Sequence, residues 1–350
     1  MYYKKWFYSF VFISVLVLLV LGGIVYIVDP CFHYRKPNTS MYYILDEQRY
    51  QNDGIVKYFD YNSIVTGTSM TENFKSSEVD RIFAGKSIKV PFSGGTYKEV
   101  NDNLKKAFDY KKDILFVIRS LDIAYLNASS DGLRKDMGDY PYYLYNDKIL
   151  DDIYYIFNID VLRITAKDII NTIRYNKRGV TSFDDYCYRE KEYKYGKQYI
   201  VIKKQQNHIK QNDLRNSDKQ RIYQNVMQNV VKLAKENPDT TFYYFYPPYS
   251  IAYWGYRKDK GQLVNTFDGV VYATELILEV PNIKLYYFGN MHDITTNLDN
   301  YRDLMHYSEK INSRMLEFMH DDIGLLTKDN YKEILNKERT FLLTYPYNDI

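Results

Sequence analysis

The stretch 62-NSIVTGTSMTENF-74, from Asn62 to Phe74, decides how the chain folds. Residues 63–67 are a short β-branched run, the pattern of a strand packed on both faces. The run stops at Gly67-Thr68-Ser69, and a polar segment with helical spacing follows over 71–83. A buried strand that ends in a tight turn and hands over to a helix is the repeating unit of an α/β sandwich. The turn also presents a serine at the sheet edge. On its own Ser69 reads as a helix cap first and as a nucleophile second.

Working outward, four more short apolar runs bounded by turn residues read as strands, over 87–95, 113–122, 240–250 and 283–288. Helical patterns lie between them. One runs over 97–110, with Val100, Leu104 and Ala107 on one face. Another runs from a Ser217 cap to a Pro238 stop, with Ile222, Val226, Val230 and Leu233 on one stripe. The alternation predicts an α/β domain with a doubly wound, five-stranded parallel sheet over 62–326. Residues 123–239 break the rhythm and read as a helical insertion between strands three and four, lying as a lid. Residues 29–61 read as an entry segment, and 327–350 as a C-terminal helix and tail. In such sheets the loops after the strands gather along one edge, where sites are found.

Residues 6–28 carry no charge. As a helix at about 1.5 Å per residue they reach roughly 34 Å, enough for a hydrocarbon core of about 30 Å. Lys4 and Lys5 precede the run and Trp6, Phe7 and Tyr8 collar it, which predicts a cytoplasmic N-terminus over 1–5 and a domain outside the cell membrane. The run is longer than a signal-peptide core, and Leu21-Gly22-Gly23 is followed by more apolar chain, so an uncleaved single-pass anchor is expected.

The net charge is +3 with both signs interspersed, and no basic face points to nucleic acid. The 40 tyrosines supply rings that suit sugar stacking or simple packing. Cys31 and Cys187 are the only cysteines, and sequence does not decide whether they pair. No Cys/His spacing suggests a metal, and no cofactor is expected.

Chemistry is carried by three distant segments. Ser69 follows the first strand. Phe92-Ser93-Gly94-Gly95-Thr96 ends the second, where glycine amides can approach an oxyanion without Cβ obstruction. Near the C-terminus, 297-NLDNYRDLMHYSEKINSRMLEFM-319 places Asp303 three residues before His306 at the start of a helical pattern. There the carboxylate can hold one imidazole nitrogen and leave the other to take a proton from a serine. The rival pair His292 and Asp293 is adjacent in sequence and diverges in either regular structure.

With Ser69, the glycines and Asp303-x-x-His306 in this order, the chain resembles the SGNH/GDSL hydrolase superfamily over roughly 62–319. It is similar to membrane-tethered members that accompany polysaccharide O-acetylation and teichoic acid D-alanylation. The resemblance implies Ser69 as nucleophile, His306 as base and Asp303 as its orienter. It implies an oxyanion cradle from the amides of Ser69 and of Gly94 or Gly95, with Gly95 preferred. Where the family has Gly-x-Asn-Asp after strand three, this chain has Arg119-Ser120-Leu121-Asp122. Leu121 stands near the Asn position, Ser120 is a substitute donor, and an ionised Asp122 would repel an oxyanion. Tyr249, Tyr253 and Trp254, after Pro247-Pro248, are candidates for an acceptor groove or for packing.

The expected function is a cell-surface serine esterase or acyltransferase. Its partners would be an acylated envelope polysaccharide or teichoic acid, the bilayer, and a membrane-bound O-acyltransferase. The alternative is a non-catalytic scaffold that binds a polymer or an acyl carrier on a degenerate frame of the same kind.

Overall fold

The computed structural model describes residues 2–134, 136, 140–146, 148–185, 193–200 and 210–347. In chain order the strands are β1 (Tyr42–Tyr43), β2 (Ser63–Gly67), β3 (Ser87–Pro91), β4 (Phe116–Ser120), β5 (Gly179–Val180), β6 (Thr241–Tyr246), β7 (Ile283–Tyr287) and β8 (Leu325–Leu326). The helices are α1 (Tyr2–Val28), α2 (Gln48–Tyr58), α3 (Ser76–Phe83), α4 (Tyr97–Tyr110), α5 (Asp152–Ile156), α6 (Ile159–Tyr175) and α7 (Asn216–Val226). They continue with α8 (Lys232–Glu236), α9 (Ile251–Asp259), α10 (Leu263–Ile277), α11 (His292–Thr295), α12 (Glu309–His320) and α13 (Tyr331–Thr344).

The chain divides into two compact units. One holds Met1–Phe59 with Asp139–Ser182, the other Asp60–Gly138 with Phe183–Ile350. The interval 123–239 is therefore split between the two, with α5 and α6 in the first unit and α7 and α8 in the second.

The second unit is built on a sheet ordered β3-β2-β4-β6-β7-β8. The first five strands are parallel, and β8 joins antiparallel through Leu285 opposite Leu326. The sheet thus has six strands where five were expected. β8 is only two residues long, too short to show a periodicity. Every residue of β2, β3 and β4 is buried. Helices cover both faces. Phe83 of α3 packs on Phe116 and Tyr243, while Phe108 of α4 stacks on Phe242. Residues 242 and 243 are neighbours in one strand and point to opposite faces. α4 starts where the sequence places a capping box: Thr96 Oγ1 accepts from the Glu99 amide, and Glu99 Oε2 accepts from the Thr96 amide.

Two cations are fully buried in this sheet. Lys89 Nζ donates to the carbonyls of Glu72 and Phe74, at 2.7 and 2.8 Å. Arg119 donates to the carbonyls of Asn229 and Tyr97 and lies over the rings of Tyr97 and Tyr244. Backbone oxygens and π faces surround the Arg119 guanidinium. The Lys89 bonds pin the segment that leads out of the Ser69 turn.

In the first unit, the two-residue strands β1 and β5 pair in parallel. The α1 helix is long and apolar enough to cross a membrane. Cys31 is a buried free thiol packed with Val25, Tyr155, Val161 and Ile164, whereas Cys187 lies outside the described residues. Asp168 is buried in α6, and burial raises its carboxyl to about 8 against the pull of Lys167. The folded state therefore keeps this proton longer than the unfolded chain does. Its stabilising effect is complete below the ordinary carboxyl value of 3.8 and is lost as pH rises through about 8. Asp168→Asn is expected to melt like the parent near pH 4 and clearly higher near pH 9, by thermal denaturation in detergent.

Candidate active site

β2 ends at Gly67, whose φ of +139° lies in the region open to glycine. A Cβ there would stand 2.3 Å from Ser120 Oγ and 3.0 Å from the Ser120 amide nitrogen, so the ends of β2 and β4 close on each other only because residue 67 has no side chain. The chain then makes a single 3₁₀ turn, Ser69–Thr71, with the Thr68 carbonyl accepting from the Thr71 amide and hydroxyl. The helix expected over 71–83 starts later, at Ser76. Ser69 thus sits on a tight turn and not at the mouth of a long helix dipole.

Asp303 and His306 precede α12 and lie outside it. The expected helical spacing is replaced by a turn: Asp303 Oδ1 accepts from the amides of Met305 and His306, each at 2.8 Å. Asp303 Oδ2 meets His306 Nδ1 at 2.7 Å. An aspartate that binds the backbone two and three residues on does what a helix turn would have done. The loop is closed by a bridge between Tyr301 and Tyr307, and Ser250 Oγ donates to the Leu304 carbonyl at 2.7 Å.

Ser69 Oγ lies 2.8 Å from His306 Nε2. The structure therefore brings hydroxyl, imidazole and carboxylate from three segments into one hydrogen-bonded line. Met70 fixes the junction: its carbonyl accepts from Tyr307 Oη at 3.3 Å and from Asn312 Nδ2 at 3.0 Å. Burial works to raise the Asp303 carboxyl, but the His306 hydrogen bond and charge, with the two amides, outweigh it and lower it to about 2. Asp303 is ionised at any working pH and holds Nδ1 as the protonated nitrogen, leaving Nε2 to accept from Ser69. Ser69, Asn73, Arg302 and His306 line a small depression over this line.

The other predicted site residues fare differently. The Gly95 amide is spent on the Phe92 carbonyl at 2.7 Å, which closes the turn after β3. Gly94, preferred second in the sequence, has a φ of +61°, and its amide has no acceptor among the described residues. Ser120 is buried, its hydroxyl donating to Asp122 at 3.1 Å and accepting from the Thr68 amide. Its one proton is already committed within the protein. Asp122 itself is buried and holds the hydroxyls of Thr68, Ser120 and Tyr249. Burial raises its carboxyl above the ordinary value, and the three hydroxyls pull it back. Two of these hydroxyls serve Oδ2 and one serves Oδ1.

Tyr249, Tyr253 and Trp254 do not form a groove. All three are buried, Tyr249 edge-on to Tyr253 at 4.7 Å and Trp254 against Phe267. The Tyr249 hydroxyl serves Asp122, and the rings run in series from Tyr249 through Tyr253 and Trp254 to Phe267 of α10. The rival histidine is accounted for as well: His292 Nε2 meets buried Glu338 at 2.8 Å, while Asp293 pairs with Arg314. Sequence reasoning missed Tyr307, Asn312 and the Thr68–Asp122 bond. The one available signal was a polar Asn312 beside Ile311, on the buried stripe of an amphipathic helix.

Comparison with known proteins adds little to this geometry. No family model matches the chain, and no curated protein does. Among solved structures, a protein from Streptococcus pneumonia, described as a candidate platelet activating factor, matches 79% of this chain and 92% of its own. The two share 11% identity at a TM-score of 0.35, a likeness too loose to carry an argument about fold or activity.

Proposed function

We propose that this chain is a serine esterase or acyltransferase held in the cell membrane by α1, with its second unit outside the cell. The observation that carries the reading is the unbroken line Ser69 Oγ–His306 Nε2 and His306 Nδ1–Asp303 Oδ2, at 2.8 and 2.7 Å. Ser69 Oγ attacks an ester carbonyl carbon while its proton passes to His306 Nε2. The carbonyl π electrons move to oxygen, where the amides of Ser69 and Gly94 stand as donors. Collapse breaks the ester C–O bond, and the leaving alcohol takes the proton from Nε2. Water or a sugar hydroxyl then attacks the acyl-serine as His306 takes its proton, and the second collapse breaks the acyl C–Ser69 Oγ bond while Nε2 returns the proton to Ser69. The proposed substrates are acyl esters of an envelope polysaccharide or teichoic acid, handed over in company with a membrane-bound O-acyltransferase.

The commitments of Gly95 and Ser120 thin the oxyanion cradle and favour a second reading, in which the site binds a polymer and does no chemistry. A fluorophosphonate probe separates the two. Labelling of the purified full-length protein that disappears in Ser69→Ala supports the enzyme. No labelling from mildly acidic to alkaline pH supports the scaffold.

A further inference from the structure

The first unit carries an apolar face that the proposed chemistry does not use. Ile149, Leu150, Ile153, Tyr154, Phe157 and Ile159 are all exposed, Ile149 and Leu150 at 84% and 88%. They come from one short segment around α5 and the start of α6. A soluble surface scatters such residues singly and does not cluster six of them within one short segment.

The acids in the same segment are turned into the protein. Asp151 Oδ2 accepts from Asn146 Nδ2 at 2.9 Å, and Asp152 Oδ1 meets His33 Nε2 at 3.0 Å. Tyr155 is buried and donates to Asp29. The segment is therefore amphipathic, with its polar groups satisfied inside and its apolar groups facing out.

Its position along α1 names the partner. A Cβ added at Gly22 would stand 2.9 Å from Ile156 Cγ2 and 3.5 Å from Phe157 Cζ, so this segment lies against the helix at residue 22. Gly22 is six residues before the end of α1 at Val28, a rise of about 9 Å at 1.5 Å per residue. The chain leaves the apolar helix only at Asp29, whose carboxylate accepts from the amides of His33, Tyr34 and Arg35. If α1 spans a bilayer, residues that touch it about 9 Å before its end lie below the headgroup boundary, at the depth of an interfacial helix.

We propose that 149–159 is a second membrane contact, which seats its six apolar side chains among the lipid acyl chains of the leaflet into which α1 ends. The inference rests on the reading of α1 as a membrane span. The segment then acts as a foot that fixes the rotation of α1 about its axis, because Gly22, Val25 and Val28 are buried on one stripe of the helix against the protein.

The test uses the full-length chain in liposomes, with Trp6→Phe to leave only buried Trp254 as background. Single tryptophans are introduced as Leu16→Trp and Leu150→Trp, and their emission is read with acyl-brominated lipids and with aqueous iodide. The expected result is loss of Leu16→Trp emission to deep bromines, and loss of Leu150→Trp emission to shallow bromines with little loss to iodide. Quenching of Leu16→Trp by bromolipid, with Leu150→Trp open to iodide, overturns the foot and leaves the span intact. Leu150→Trp silent to both quenchers also overturns it, since a protein partner then covers the face. Absence of bromolipid quenching at both positions removes the span itself, and the foot with it.

Discussion

His306→Ala is expected to abolish acyl turnover, lowering kcat by roughly 10⁴- to 10⁶-fold with Ser69 still in place. Among the described residues, the imidazole at 2.8 Å from Ser69 Oγ is the base in the hydrogen-bonded line that can take its proton. Asp303→Asn is the gentler cut. Asparagine can still accept from the Met305 and His306 amides but favours the wrong imidazole tautomer, so kcat falls by about 10²- to 10⁴-fold while the melting temperature hardly moves. The Asp303 carboxylate is half exposed, which places the loss towards the lower end of that range. Equal activity in parent and Asp303→Asn, assayed on a chromogenic acetyl ester, would sink the proton-relay reading.

Gly67→Ala is the second large effect, and it reaches stability and site together. The backbone at φ +139° is strained for any L side chain, and the new methyl would meet Ser120 Oγ at 2.3 Å. Strain and overpacking together are expected to cost on the order of 3 kcal/mol. Ser120 cannot swing away freely, because its hydroxyl also holds Asp122 and the Thr68 amide. The displacement therefore passes to Thr68 and from there to Ser69. The variant should melt several degrees lower and lose fluorophosphonate labelling even where it remains folded. Full labelling at a lowered melting temperature would show that the turn tolerates the shift and that Ser120 does not transmit it.

What could be read from the sequence follows from the range of each interaction. The five parallel strands were legible because burial on both faces leaves continuous apolar runs, and β2 falls on 63–67 as expected. Ser69 and the Asp303-x-x-His306 spacing were legible because each is a local pattern. The conformation that makes the spacing work was not. The same three-residue interval fits a helix face and an aspartate-held turn, and contacts such as the bridge between Tyr301 and Tyr307 and the Ser250 bond to Leu304 select the turn. Burial of aromatics was equally hidden. Tyr249, Tyr253 and Trp254 have the composition of a sugar-stacking strip, and what makes them core is the packing of α9 on α10, with Trp254 against Phe267. The choice between Gly94 and Gly95 rested on a hydrogen bond to Phe92, a contact within the loop that residue identity alone does not reveal.

The Met70 carbonyl, shared by Tyr307 and Asn312, has a consequence for how this protein can vary. This oxygen, together with Ser313 donating to Glu78 of α3 and Lys75 beside Glu309, ties the serine turn to the histidine loop, so the reacting pair is gauged locally and not through the long stretch of chain between them. Surface loops in that stretch can lengthen or shorten freely, whereas a change of register in α12 by a single residue would move Asn312 off the oxygen and open the pair.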